Sequence, residues 1–213
     1  RFPATLQLTL TAMALSILLG VGIGTFAAAT RGNWLSGTLM VLVTLGISVP
    51  SFWLGLLLID VFAVNLRWLP VLGDTTVRGT VLPTLTLALP AAAVLARVTR
   101  ASLIDVLRQD YIRTARAKGV VFRRVVVKHA LRNGIIVVLT IAGLQFGGLL
   151  AGSVIVETVF SRQGLGYFVV NAITSRDYPD IQGVVLVFAA TYVVINTAID
   201  ILYGVINPRI RVA

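Results

Sequence analysis

The sequence predicts an all-α, polytopic membrane helix bundle, and three observations predict it. Charged residues make up only 12% of the 213 residues, whereas 57% are hydrophobic. A soluble domain uses about 25% charge to cover its surface, so lipid must solvate most of this chain. The apolar residues also fall into five segments, each near or above the roughly 20 residues that cross about 30 Å of hydrocarbon. Finally, the remaining charges gather between the segments, above all in residues 110–133, DYIRTARAKGVVFRRVVVKHALRN.

The first segment spans residues 5–29. Gly20 and Gly24 lie four apart in it, a spacing that lets two helices approach closely. Arg31-Gly32-Asn33-Trp34 reads as a tight polar turn. The second segment, 35–64, is long for one span and carries Pro50 in its middle. A proline there removes a backbone donor, so a break or tilt is expected near it. A loop, 67–80, follows, with Trp68 suited to the headgroup level. The third segment, 81–98, holds Pro83 and Pro90. The fourth, 134–156, contains Gly143–Gly147 and Gly148–Gly152, two pairs that predict packing inside a bundle. Residues 157–180 form a polar loop in which 166–174 read as a short interfacial helix. The fifth segment is 181–203; Asn207-Pro208 ends it.

The basic stretch reads as helix, glycine break, helix, lying flat on the membrane. Asp110 is expected to cap the first helix. Lys118 suits the negative end of the helix dipole, and Gly119 supplies a left-handed terminating residue. In the second helix Val121, Val125 and Leu131 alternate with Arg123, Arg124, Lys128 and Arg132 in an amphipathic pattern. From the residues alone, such a stretch is either a surface loop against anionic lipid or a docking site for another protein.

Several chemistries are excluded. The chain has no Cys and one His, so disulfides, thiolate sites and a histidine cluster are unavailable. His129 has no second ligand in helical reach, and no metal site is assigned. No Walker-type phosphate loop occurs, and no nucleophile–base pair is present, so the chain is not read as an enzyme. The net charge of +10 does not lie on a soluble face, which argues against a nucleic-acid partner. No signal peptide precedes the first span. Because the chain begins at Arg1, it is read as lacking its true N-terminus.

Orientation follows from the basic residues. Thirteen of the 18 Lys and Arg lie on one side: Arg31, ten between Arg97 and Arg132, Arg209 and Arg211. Five lie on the other: Arg1, Arg67, Arg78, Arg162 and Arg176. The richer side is expected to be cytoplasmic, with the C-terminus there. Within the spans, Asp200 is expected to pair with Arg97 or Arg100, because an ionisable group at membrane depth costs about 2.5–3.5 kcal/mol on insertion scales. Gln145 and Asn196 are expected to hydrogen-bond between helices. Glu157 reads as an interfacial carboxylate at the outer end of the fourth span, and Asp60 lies toward the outer end of the second.

Motifs across nearly the whole chain resemble one family. GISVPSFWLGLLL, LPTLTLALP, RTARAKG with HALRN, ETVF followed by GLG, RDYPDIQG and the terminal NPRIR are similar to the first permease subunit of bacterial dipeptide, oligopeptide and nickel ABC importers. The resemblance implies a type I importer permease with six spans, of which five are present here. It makes residues 108–132 the cytoplasmic loop that docks an ATPase, with Arg113, Thr114, Ala115, Arg116, Ala117, Lys118 and Gly119 as coupling residues. Arg113-Thr114-Ala115 stands where other branches have Glu-Ala-Ala. It makes 157–180 an extracytoplasmic loop in which Glu157, Phe160, Gly164, Leu165 and Gly166 lie near the binding protein and gate.

The implied partners are a second similar permease, two ATPases, an extracytoplasmic binding protein and membrane lipid, in the bacterial inner membrane. No cofactor is expected on this chain, with ATP and Mg²⁺ on the ATPases. The implied cargo is a di- or oligopeptide, with glutathione or a nickel chelate as alternatives. The alternative class is an ion-coupled secondary carrier, which needs buried carboxylates near the midplane. Asp60, Glu157 and Asp200 are the only candidates, and all lie toward span ends.

Overall fold

The computed structural model describes residues 1–206, with the side chains of 136, 200 and 202–206 outside the description. The described residues form helices and no strands. They are α1 (Phe2–Ala29), α2 (Trp34–Ser48), α3 (Ser51–Leu58, continued by π-helical turns over Ile59–Asn65), α4 (Val77–Leu107), α5 (Asp110–Ala117), α6 (Phe122–Arg124, continued by π-helical turns over Val125–Ala130), α7 (Leu131–Val159), α8 (Leu165–Ser175) and α9 (Tyr178–Ile206).

α4 is the central post. It packs against α1, α2, α3 and α7, and its buried face is mostly alanine, leucine and threonine. Small residues matter because lipid supplies no hydrophobic drive between helices, so close packing must hold them. The Gly20–Gly24 pair is where α1 meets this post. A Cβ at Gly20 would lie 2.5 Å from Leu95 Cβ, and one at Gly24 2.6 Å from the Ala96 carbonyl. Pro83 and Pro90 both lie inside α4. The helix runs past the 81–98 expected at both ends, because the flanking turns pack against neighbours that a hydropathy window does not see.

Pro50 acts as expected. Val49 and Pro50 are extended, and the helices on either side meet at 104°. The cause is local: the proline ring pushes the preceding residue out of the helical region. The expectation for α7 is met only in part. Gly143 packs against Ile199 and Gly147 against Tyr192, both on α9, while Gly152 meets Leu87 of α4. Gly148 has open space beside it, so the second glycine pair is not a packing pair.

Four helices are long and apolar enough to cross a membrane, and the bent α2–α3 pair makes a fifth if it counts as one span. Contacts at the two ends decide the matter. Ser36, at the start of α2, donates to the Ala27 carbonyl at the end of α1. Beyond α3, the Gly73 amide donates to the Phe160 carbonyl, and Arg162 reaches both the Asp74 carbonyl and the Ala4 carbonyl at the start of α1. The bent pair therefore carries the chain from one end of the bundle to the other, and it is a broken span. The ends of α1 and α4 and the start of α7 share one pole. The starts of α1, α4 and α8 share the opposite pole.

Candidate functional site

The basic stretch forms a compact unit at the first pole. α5 begins with Gln109 as its N-cap, which makes no side-chain capping bond. Asp110 is thus the first helical residue and not the cap, where its charge still favours the positive helix end. It lies 3.8 Å from Arg113. α5 ends in a Schellman turn: the Gly119 amide donates to the Arg116 carbonyl and the Val120 amide to the Ala115 carbonyl. Gly119 has φ +79°, a backbone shape that costs residues with a Cβ about 1–2 kcal/mol.

The second half differs from the sequence expectation. It is not a separate flat helix, because the backbone stays helical from Phe122 through α7. The amphipathic face of 121–132 is the pole-end extension of a spanning helix, and its valines pack inward. Val125, Val126 and Ala130 are buried with Ile112 of α5, Ala28 of α1, and Leu103 and Leu107 of α4. Ile112, 1% exposed, is the anchor of α5. Asn133 donates to the Tyr111 hydroxyl at 2.8 Å, and the Arg116 guanidinium lies 5.7 Å over the Phe122 ring. The outer edge is left open: Arg113, Thr114, Arg116, Ala117, Lys118 and Gly119 are exposed and Ala115 is half-buried. A short rigid helix thus presents a basic edge from a base shared by three long helices.

The opposite pole is built around two buried charges. Glu157 and Arg162 are both 0% exposed. α7 ends in a second Schellman turn, with Ser161 at φ +50° and the Arg162 amide donating to the Glu157 carbonyl. That turn aims Arg162 inward. Its guanidinium donates to the Asp74 carbonyl, to Thr80 Oγ1 at 3.2 Å, to the Ala4 carbonyl at 3.3 Å and to Gln7 Oε1 at 3.0 Å. Five donors in a fixed fork suit this task, since four acceptors on α1, the 66–76 loop and α4 converge on one group.

Glu157 caps α8 from another helix. Its Oε2 accepts from the Gly166 amide at 2.7 Å and the Tyr167 amide at 3.2 Å, and Thr5 Oγ1 accepts from the Leu165 amide at 2.8 Å. Three of the orphan N–H groups of α8 are thereby satisfied. A Cβ at Gly164 would fall on the Glu157 carboxylate, and one at Gly166 would lie 2.5 Å from Val154 Cα. Phe160 and Leu165 fill the adjoining cores. Glu157, Phe160, Gly164, Leu165 and Gly166 are therefore all buried. The carboxylate expected at the interface is an interior cap, because the GLG turn folds back over it. Burial pulls the Arg162 guanidinium below its ordinary value, opposed by the charges of Glu157 and Asp74. Hydrogen bonds from Thr76 hold Asp74 below the usual carboxylate range.

Arg97 and Arg100 lie side by side in a cleft with Met40 and Thr44 of α2. The Asp200 side chain expected to pair with one of them lies outside the described residues, as do Asn207, Pro208, Arg209 and Arg211. Gln145 donates from α7 to the Ala91 carbonyl of α4 at 3.3 Å, an interhelical bond of the expected kind. His129 is half-buried, and no group of three metal-ligating side chains occurs among the described residues. Sequence reasoning missed Arg162, Thr5 and Ile112. Each acts through residues far away in the chain, and no spacing rule announces that.

The architecture is a bundle of helices long and apolar enough to cross a membrane, with a short exposed helix held at one pole. The chain is similar to the MetNI methionine ABC transporter in its inward-facing conformations, with TM-scores of 0.79 and 0.83 at 19% and 18% identity, covering 96% of this chain and 93% of the other. It is also similar to an amino acid ABC transporter crystallised with histidines, at TM-score 0.68 and 19% identity, over 98% and 91% of the two chains.

In sequence it is 50% identical over 211 residues to the glutathione transport system permease protein GsiC of Escherichia coli K12, covering 99% of this chain and 69% of that one, and equally to GsiC of Salmonella typhi. Residues 20–212 match the family described as the inner membrane component of binding-protein-dependent transport systems. The chain belongs to that family. It is a membrane-embedded permease of an ATP-driven importer and not an enzyme, since ATP hydrolysis lies on separate subunits.

Proposed function

We propose that this chain forms half of the translocation pathway of a peptide importer, with di- and oligopeptides, including glutathione, as cargo. The 50% identity to glutathione permeases over almost the whole chain supports that cargo class. A second, similar permease supplies the other half, two ATPases that hold ATP and Mg²⁺ dock at the basic pole, and an extracytoplasmic binding protein delivers cargo at the Glu157–Arg162 pole. The basic pole, and with it the C-terminus, faces the cytoplasm. A nickel chelate is the remaining cargo alternative.

The observation that carries this reading is the exposed edge of α5, residues 113–119, standing on an apolar base that joins the ends of α1, α4 and α7. A push on α5 reaches three spanning helices through Ile112 and Val125 without compressible loops between. About 5.5 kcal/mol of differential binding moves a two-state gate from 1:99 to 99:1, and ATP-driven closure of the ATPases supplies the bias. The buried corner around Arg162 keeps the outer ends of α1, α4, α7 and α8 together while the inner ends move. The test is uptake by the reconstituted complex of labelled dipeptide, glutathione and a nickel chelate. ATP-dependent, vanadate-sensitive uptake of the peptides is expected. Uptake indifferent to vanadate but driven by an ion gradient would establish the secondary-carrier reading instead.

A further inference from the structure

The cleft between α2 and α4 holds a feature that the docking pole and the outer corner do not use. It measures about 670 Å³ and is lined by Met40 and Thr44 of α2 and by Val94, Arg97, Val98, Arg100 and Ala101 of α4. Two arginines meet in it, three residues apart, so they project from one face of α4. Among the described residues neither has an ion-pair partner, and the Arg100 Nε is buried without a hydrogen-bond acceptor. Asp105, the nearest acidic residue along α4, lies five residues beyond Arg100 and eight beyond Arg97, about 7.5 and 12 Å by helical rise, and forms an ion pair with neither. Thr44 is exposed beside the arginines, its hydroxyl proton given to the Met40 carbonyl.

Depth sharpens the point. Arg97 is 20 residues past Val77, about 30 Å along a helix that begins at the outer pole. That places the pair near the inner edge of the hydrocarbon, within reach of the headgroup region, with Arg97 exposed and Arg100 half-buried, so an anion can approach both through the cleft mouth. Planar, five-donor guanidinium groups match carboxylate and phosphate oxygens in pairs. A cleft with two such groups, open space and no carboxylate among its described lining residues has the chemistry of an anion site.

We propose that Arg97 and Arg100 form an anion-binding site in the inner half of the α2–α4 cleft, which takes an oxyanion group such as a carboxylate or a phosphate. If the chain carries peptides, a cargo carboxylate is the occupant. This part rests on the proposed function. A lipid phosphate at the inner leaflet is the second source of the same chemistry, and the site does not require that the protein be an importer.

The absence of cysteine allows a direct test. Thr44→Cys is introduced in the full chain, purified with its partner subunits in zwitterionic nanodiscs. Modification of the introduced thiol is followed by intact mass of this chain, with an anionic (sulfonatoethyl) and a cationic (trimethylammonioethyl) methanethiosulfonate. The expected result is an anionic-to-cationic rate ratio that falls about ten-fold or more in Arg97→Gln/Arg100→Gln, and is retained in Arg97→Lys/Arg100→Lys. Slowing of the anionic reaction by glycylglycine, without anionic lipid, identifies a cargo carboxylate. Slowing only by added phosphatidylglycerol identifies a lipid phosphate and leaves the site in place while separating it from the transport reading. A ratio unchanged by the glutamine pair, or a reaction that neither anion slows, overturns the proposal.

Discussion

At the scale of single residues, Arg162 is the part that most deserves a substitution. It is fully buried and satisfies four acceptors on three elements. Arg162→Gln strands most of those acceptors and leaves Glu157 without a nearby positive charge. The expected loss of stability is about 3–5 kcal/mol, read as a lower denaturation midpoint of the purified chain in detergent. Arg162→Lys should also fall well short of the native protein, because one ammonium cannot fork between Asp74, Thr80, Ala4 and Gln7. A midpoint unchanged in both variants would mean that water replaces the guanidinium. The sequence displays this residue only as one of five basic residues at the poorer pole. Its role depends on a left-handed turn at Ser161 and on residues as distant as Ala4, and neither is visible in a local window. Glu157 was legible as a motif position. Its burial was not, since it follows from Gly164 and Gly166 admitting the carboxylate.

At the scale of elements, the pattern that hydropathy can see was read well and the pattern set by ends was not. Gly20 and Gly24 mark the α1–α4 contact, and Pro50 marks the break in the second span. In both cases the backbone consequence is local. The continuity of residues 122–130 with α7 was missed because charge on one face resembles a surface helix, whereas the valines on the other face bury against α1 and α4. Gly119 closes α5 in a left-handed turn and carries its own prediction. Gly119→Val forces a β-branched residue into φ +79°, which should cost at least about 1–2 kcal/mol locally. The spanning bundle should be untouched. Proteolysis of the α5–α6 turn should quicken while the denaturation midpoint of the bundle stays put. Equal protease resistance in the variant would show that the turn does not need its left-handed shape.

At the scale of the whole molecule, the charge asymmetry, the span count and the exposed helix describe one object with two unlike poles. The fold was legible because membrane helices must satisfy their backbone within each segment, which makes segment length informative. The working surfaces were less legible, because they are formed where three or four segments end together. The ends of α1 and α4, the stretch that leads into α7 and the short α5 meet at one pole, and ten of the basic residues, between Arg97 and Arg132, lie toward it.

The central claim is that the exposed edge of α5 is the contact through which ATP is felt. The most direct measurement is a site-specific crosslink from Ala117→Cys, the chain's sole thiol, carried out in native membranes and read by mass spectrometry. The account predicts an adduct to a Walker-motif ATPase, with a yield that changes when ATP binds. A reactive thiol that captures no ATPase, together with normal uptake by Arg116→Glu, would contradict it and leave the basic edge as a surface for lipid.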